Sequence, residues 1–331
     1  MDKKNNFIRK FIKIRGMNKV LVVTFGLILL CVSFGIINPT FYSSRNISNL
    51  LRQIAPILII GFGQSFVLIT GNIDLSIGSV VGMSCMISAT LMTKGMSPIL
   101  ATLLTIIICV LTGMINGVLV AGIKIPPFIA TLGTMTVARG IAQIVNNNYN
   151  TDTIGKLAQG FRNVFYYGKF LGVYNAFWIA IIMFIVLDIL LIKTKLGRHM
   201  YAIGSNAQAS KFSGVNILKT TVIAYIISAF CSGIVGMMMT ATSGIGTMDS
   251  GTMYEMYAVA ASVIGGVSTL GGEGLLIGTV IGASIWGVLQ NGLQFAGAPV
   301  AIRNIVIGII VVASVMLDVI IRRGRALKIF K

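Results

Sequence analysis

Ten stretches of 14 to 24 residues run through this chain with no more than two charged side chains in any one: 20–37, 54–70, 77–92, 98–121, 127–145, 174–192, 220–241, 254–267, 275–293 and 301–321. A helix crosses the hydrocarbon of a bilayer with roughly 20 apolar residues, and it satisfies its own backbone while doing so. The pattern therefore predicts an all-α membrane protein of about ten transmembrane helices. Composition agrees: 56% of residues are hydrophobic and 10% charged, against about 25% charged in a soluble domain. This excludes a soluble enzyme and a disordered chain. A net charge of +18 would otherwise invite a nucleic-acid partner. The cations, however, stand at the ends of apolar runs rather than on a compact face, so they read as topology and no nucleic-acid partner is expected.

The basic stretch 1–19 precedes the first run and could pass for the front of a signal peptide. The run 20–37 is too long for one and no small-x-small cleavage site follows it. Asn38-Pro39-Thr40-Phe41-Tyr42 comes instead, so the run is read as a retained first span. Ten spans put both termini on one side. With that side cytoplasmic, eighteen of the 26 Lys and Arg fall on inner segments and six on outer ones, with Arg139 and Arg303 inside spans. That bias obeys the positive-inside rule. The expected organisation is a basic cytoplasmic N-terminus (1–19), one polytopic domain (20–321) and a basic cytoplasmic C-terminus (322–331). A long outer loop covers 146–173, and a basic inner stretch, 193–218, joins spans six and seven. The runs 54–70 and 254–267 are short and glycine-bearing, as expected of tilted or broken helices.

Little in the chain can do covalent chemistry. Cys31, Cys85, Cys109 and Cys231 lie inside apolar runs without metal-ligand spacing, and His199 has no partner histidine. None of the eight acids pairs with another at a spacing that makes an acid/base site on one helix. Gly155-Lys156 lacks the rest of a P-loop, and Leu270-Gly271-Gly272-Glu273 only echoes an ATPase signature. No enzymatic activity, cofactor or metal is expected. Small residues four apart recur at Gly78 and Gly82, at Gly113 and Gly117, and at Gly274, Gly278 and Gly282. That spacing lets helix backbones approach closely, inside the bundle or at a subunit interface.

Ionisable residues at membrane depth are functional candidates. Asp74 precedes a new apolar run together with Ser76 and Gly78, and reads as a helix N-cap, with ion coupling or gating as the alternatives. Arg139 shares its span with Thr131, Thr134, Gln143 and Asn146. These five, with Tyr254 and Glu255 at the start of the eighth span, are candidate pathway-lining residues. Pro126-Pro127 reads as a helix start. The polar stretch 195–219 contains a helix too short to stand alone, capped by Ser205 or Asn206 and ended by Gly214. Either a partner protein or the rest of the chain must hold it.

Three blocks now carry a resemblance. They are Ile69-Thr-Gly71-Asn-Ile-Asp74-Leu-Ser76-Ile-Gly78-Ser79; Ile125-Pro126-Pro127-Phe-Ile-Ala-Thr131-Leu-Gly133-Thr134; and Gly197-Arg198 followed by Ala202-Ile-Gly204-Ser-Asn206-Ala207, Ala209 and Ser213-Gly214-Val215. With Ile264-Gly265-Gly266-Val267-Ser268 and Gly271-Gly272, they make the chain resemble the membrane-spanning permeases of ribose/galactose/xylose-type ABC importers, the second carbohydrate-uptake class. Asn72 stands where that family usually has glycine, and Gln208 and Ser210 replace its common Glu and Ala.

The resemblance implies a homodimer in the bacterial cytoplasmic membrane, in contact with lipid. A separate cytoplasmic ABC ATPase would lie beneath it and an extracytoplasmic sugar-binding protein above. ATP-driven alternating access would then move a monosaccharide inward. It also implies that residues 197–214 form a cytoplasmic coupling helix, contacting the ATPase through Gly197, Arg198, Gly204, Asn206, Ala207, Ala209, Ser213 and Gly214. The alternatives are a permease of the same class for a nucleoside, a branched-chain amino acid or a signalling sugar, and an ion-coupled secondary sugar transporter.

Overall fold

The computed structural model describes residues 17–155 and 158–303, with 305, 306, 308–310, 312, 313 and 316 beyond them. The expected basic termini therefore lie outside the described residues, apart from 17–19. The helices among the described residues are α1 (Met17–Ile37), α2 (Ser44–Ile69), α3 (Ile77–Thr93), α4 (Pro98–Ala121), α5 (Pro127–Ile144), α6 (Gln159–Arg162), α7 (Asn175–Lys193), α8 (Lys195–Ser205), α9 (Ala207–Phe212), α10 (Ile217–Ser243), α11 (Tyr254–Ile264) and α12 (Leu276–Phe295). A further apolar helix covers Val300–Ile310. A two-residue hairpin, β1 (Lys169–Phe170) with β2 (Val173–Tyr174), interrupts the all-helical pattern in the long loop.

Six of these helices, α1, α2, α4, α7, α10 and α12, are long and apolar enough to cross a membrane. The protein is thus a multi-pass, essentially all-α membrane protein. The other expected spans differ from simple crossings. α3, α11 and Val300–Ile310 are shorter, and α5 is diluted by Arg139, Gln143 and three threonines. α2 begins ten residues before the apolar run does, because Ser43 caps it, accepting from the Asn46 amide at 3.3 Å. That polar first part is fixed by Asn46 and Asn291 of α12, whose side-chain amides bond each other reciprocally at 3.0 and 3.1 Å.

α2 and α10 form the centre. Every residue of α2 from Ile54 to Ile69 is buried. α3 and α4 pack on α10, α11 and α12 on α2, α7 on α2, α5 on α3, and α1 on α12. α1, α4, α5 and α7 turn isoleucine, leucine, valine and phenylalanine outward, as lipid-facing helices do. Lipid offers no hydrophobic drive for helix association, so close backbone packing must supply it. A Cβ on Gly113 would stand 2.5 Å from the Tyr225 carbonyl, and one on Gly117 2.5 Å from the Val222 Cα, both on α10. Gly63 lies against Ser228, and Gly278 and Gly282 against Gly265 and Ala261. These stripes pack the bundle internally. Gly78 and Gly82 do something else: they make room for the side chains of Glu255 and Arg139.

Candidate functional site

Two helices start inside the bundle. α11 has eleven residues, about 16 Å at 1.5 Å per residue, roughly half of a hydrocarbon core. The irregular segment 244–253 leads into it from the end of α10. Irregular backbone inside a bundle needs protein partners for its polar groups. Here Arg139 Nη1 donates to the carbonyls of Met248 (2.7 Å) and Ser250 (2.9 Å), and the Met248 amide donates to Asn150 Oδ1. α3 likewise follows an irregular segment, 72–76. Its first turn, at Gly78, faces Glu255 in the first turn of α11 and the carbonyl of Gly251 in the segment before it. Two helix N-termini, each with positive dipole character, thus flank the Glu255 carboxylate.

Asp74 sits on the segment that leads into α3. Ser228 Oγ donates to Asp74 Oδ2 at 2.7 Å, and Ser228 is eleven residues into α10, about 17 Å along a helix of about 40 Å. Asp74 is therefore deep within the bundle. It is not the expected helix cap. Ser76 holds the N-cap position of α3, and Asp74 Oδ1 accepts the Ser76 amide at 2.9 Å and the Ser76 hydroxyl at 2.6 Å. The side chain closes a turn two residues ahead and leaves the amides of the first helical turn alone. From Ser76 the polar chain continues outward. Asn116 Nδ2 of α4 donates to Ser76 Oγ (2.9 Å), and Thr134 Oγ1 of α5 donates to Asn116 Oδ1 (2.6 Å). Tyr225 of α10 donates to the Ile73 carbonyl at 3.0 Å. Ser76, Ser228, Asn116 and Thr134 thus tie four elements to the Asp74 carboxyl group.

The residues expected to line a path fall into different places. Arg139 and Glu255 meet beside Gly78 and Gly82. Tyr254 is next to Glu255, its hydroxyl 3.5 Å from Met239 Sδ. Thr134 belongs to the Asp74 network, and Gln143 is exposed on α5. Thr131 is fully buried and its hydroxyl bonds back to the Pro127 carbonyl. Asn146 Nδ2 donates to the carbonyls of Tyr149 and Asn150 and closes the turn after α5. Pro127 opens α5 with Pro126 at its N-cap, as read from the sequence.

At the other end of the bundle the stretch 193–218 forms two helices rather than one. Thr194 caps α8 through the Gly197 amide (3.2 Å) and Asn206 caps α9 through the Ala209 amide (2.9 Å). α9 ends in a Schellman turn: the Val215 amide bonds the Ser210 carbonyl, the Gly214 amide bonds the Lys211 carbonyl, and Gly214 has φ +80°. Gly197 and Gly204 belong to α8 and face the chain itself. Gly197 abuts the Leu191 backbone, and Gly204 abuts the Ile69 carbonyl and the Gly272 amide. Tyr201 donates to the Gly274 carbonyl at 2.6 Å. Burial, then the nearby Asp188 carboxylate, push its phenol up, so it remains a donor. Gly204 therefore does not bound the free helix; Asn206 does. Arg198, Asn206, Ala207, Ala209, Ser213 and Gly214 are exposed, as is Phe212, at 90%.

The sequence reading missed Asn116, Ser228 and Tyr225. An asparagine in the otherwise uncharged run 98–121 was a signal for the first. Ser228 and Tyr225 carry none until the fold brings them to Asp74.

The family described as branched-chain amino acid transport system / permease component matches residues 46–315. The chain is 38% identical to the ribose import permease protein RbsC of Bacillus subtilis, over 94% of this chain and 96% of that protein. It is 31% identical to the D-allose transport system permease protein AlsC of Escherichia coli, over 90% and 91%. It is 33% identical to the galactose/methyl galactoside import permease protein MglC of Escherichia coli, over 93% and 94%. No solved structure matches it.

Proposed function

This chain belongs to the branched-chain amino acid transport system / permease component family, and from that membership we propose that it is the membrane-spanning permease of an ABC importer for a monosaccharide. The observation that carries the reading is similarity over nine-tenths or more of the chain to import permeases for ribose, allose and galactose.

In this reading both termini and the α8–α9 end face the cytoplasm, in a cytoplasmic membrane crossed ten times. α9 is the coupling helix. Its exposed Ala207, Ala209 and Phe212 dock in a groove of a separate ATPase, while α8 transmits the movement to the end of α2 and to the 268–274 loop. Arg139, Tyr254 and Glu255, at the meeting of the two broken helices, line the outer part of the path. A second copy packs against α5, whose exposed face carries Gly133, Thr136 and Gly140, with nothing within 4 Å of a Cβ built on either glycine. A binding protein delivers the sugar from outside and sets most of the solute choice.

The test is uptake of labelled ribose, allose and galactose into vesicles holding the permease, its ATPase and its binding protein. Uptake of one of them is expected to survive collapse of the ion gradients and to stop when ATP is removed. Uptake that follows the ion gradient instead would make the protein a secondary transporter.

A further inference from the structure

Gln64 lies in the fully buried part of α2. It has no exposed surface, and among the described residues neither its Oε1 nor its Nε2 has a hydrogen-bond partner. The hydroxyls that flank it along the seams of α2 are engaged elsewhere. Ser65 Oγ lies 2.7 Å from the Gly61 carbonyl, 3.1 Å from Ser262 Oγ and 2.8 Å from Thr279 Oγ1. Ser228 bonds Asp74. A primary carboxamide buried without a protein partner gives up the hydration of two donor hydrogens and an acceptor, and native interiors rarely leave such a group unanswered. Methionine would fill nearly the same space without that cost. The residue is therefore expensive in this arrangement of the helices, which points to a use in another.

Its position indicates the use. Gly63, one residue before it, lies against the Cα of Ser228 on α10. Ser65, one residue after it, joins α2 to α11 and α12. At about 100° per residue, Gln64 projects between these two seams, at the level of Asp74. α10 and α11 each pack on α2, and movement of either one away from α2 would uncover it. We infer that Gln64 is a solute-contacting residue, buried in this state and exposed to the path when these helices move off α2. Its Oε1 then accepts from one sugar hydroxyl while its Nε2 donates to the neighbouring oxygen. A neutral carboxamide matches a vicinal diol in both senses, and its burial between turnovers costs less than that of a charged group. This inference rests on the transport reading above.

Gln64→Met in the complete importer tests it, with ATP-driven uptake of labelled ribose, allose and galactose, ATPase co-purification and thermal unfolding measured together. Uptake is expected to fall about tenfold or more, the scale of losing hydrogen bonds to the solute, with co-purification unchanged and the unfolding midpoint equal to or above that of the wild type. Normal uptake by Gln64→Met would overturn the inference. So would a fall in uptake that merely tracks a fall in the unfolding midpoint. Wild-type uptake reads the transport assignment, and the ratio of variant to wild type reads Gln64. A second measurement follows exposure directly. Gln64→Cys should react with a small hydrophilic methanethiosulfonate faster during ATP turnover than without nucleotide. Equal, slow reaction in both conditions would show that the position never meets the path.

Discussion

Asp74 shows how one side chain can hold four elements without a counter-charge in contact. Its carboxylate takes three hydrogen bonds, two from Ser76 and one from Ser228. Asn116 and Thr134 extend the set to α4 and α5. Asparagine at this position keeps Oδ1 for both Ser76 donors, and the Ser228 hydroxyl can turn to accept from the new amide. Asp74→Asn should therefore leave most of the folded protein and most of the transport intact. Leucine would leave the Ser76 amide, the Ser76 hydroxyl and the Ser228 hydroxyl buried without their acceptor, each at about 1–3 kcal/mol. Asp74→Leu should sharply reduce the detergent-soluble, monodisperse fraction on size-exclusion chromatography. A fully assembled Asp74→Asn complex that fails to transport would instead give the negative charge a gating role. The sequence revealed Asp74 because a lone acid among apolar runs stands out. It could not reveal Ser228, because a serine on a buried helix face looks like any small residue until the fold aims it.

At the scale of elements, α8 and α9 are adjacent yet opposite in character. α8 is held by the chain: a Cβ on Gly204 would meet backbone on both sides, at Ile69 and at Gly272, where the Gly272 amide also bonds the Ile69 carbonyl at 2.9 Å. Backbone cannot rotate aside as a side chain can. Gly204→Ala should thus push α8 off the end of α2 and destabilise the permease by roughly 1–3 kcal/mol, read as a lower unfolding midpoint of the permease alone. α9 touches little of its own chain. Ala207→Glu with Ala209→Glu should leave that midpoint within a degree or two of the wild type while removing co-purification with the ATPase. If the double variant still bound the ATPase and took up sugar normally, α9 would not be the coupling element. The sequence anticipated a short, capped, exposed helix here, because the Asn206 and Gly214 signals are local. It did not anticipate α8, whose seat depends on Gly204 meeting backbone about 130 residues before it and 70 after it in the chain.

At the scale of the molecule, hydropathy located ten apolar runs, and six of them carry helices long and apolar enough to cross a membrane, because the demand for internally satisfied backbone in lipid is written in composition. Depth was less legible. α3 and α11 each follow an irregular segment, held by particular side chains: Asp74 before α3 and Arg139 before α11. Charge bias adds orientation, and orientation decides every functional assignment, because an ATPase can reach α9 only from the cytoplasm. Asp152 and Lys211 are both exposed, one in the loop after α5 and the other on α9. The chain's own Cys85, Cys109 and Cys231 are buried, which leaves partly accessible Cys31 as the background to subtract. An impermeant maleimide added to intact cells should label Asp152→Cys and spare Lys211→Cys. Permeabilised cells should show both labelled, proving that Lys211→Cys is reactive when reached. The reverse pattern in intact cells would turn the bundle over, place the basic segments outside, and remove α9 from any ATPase.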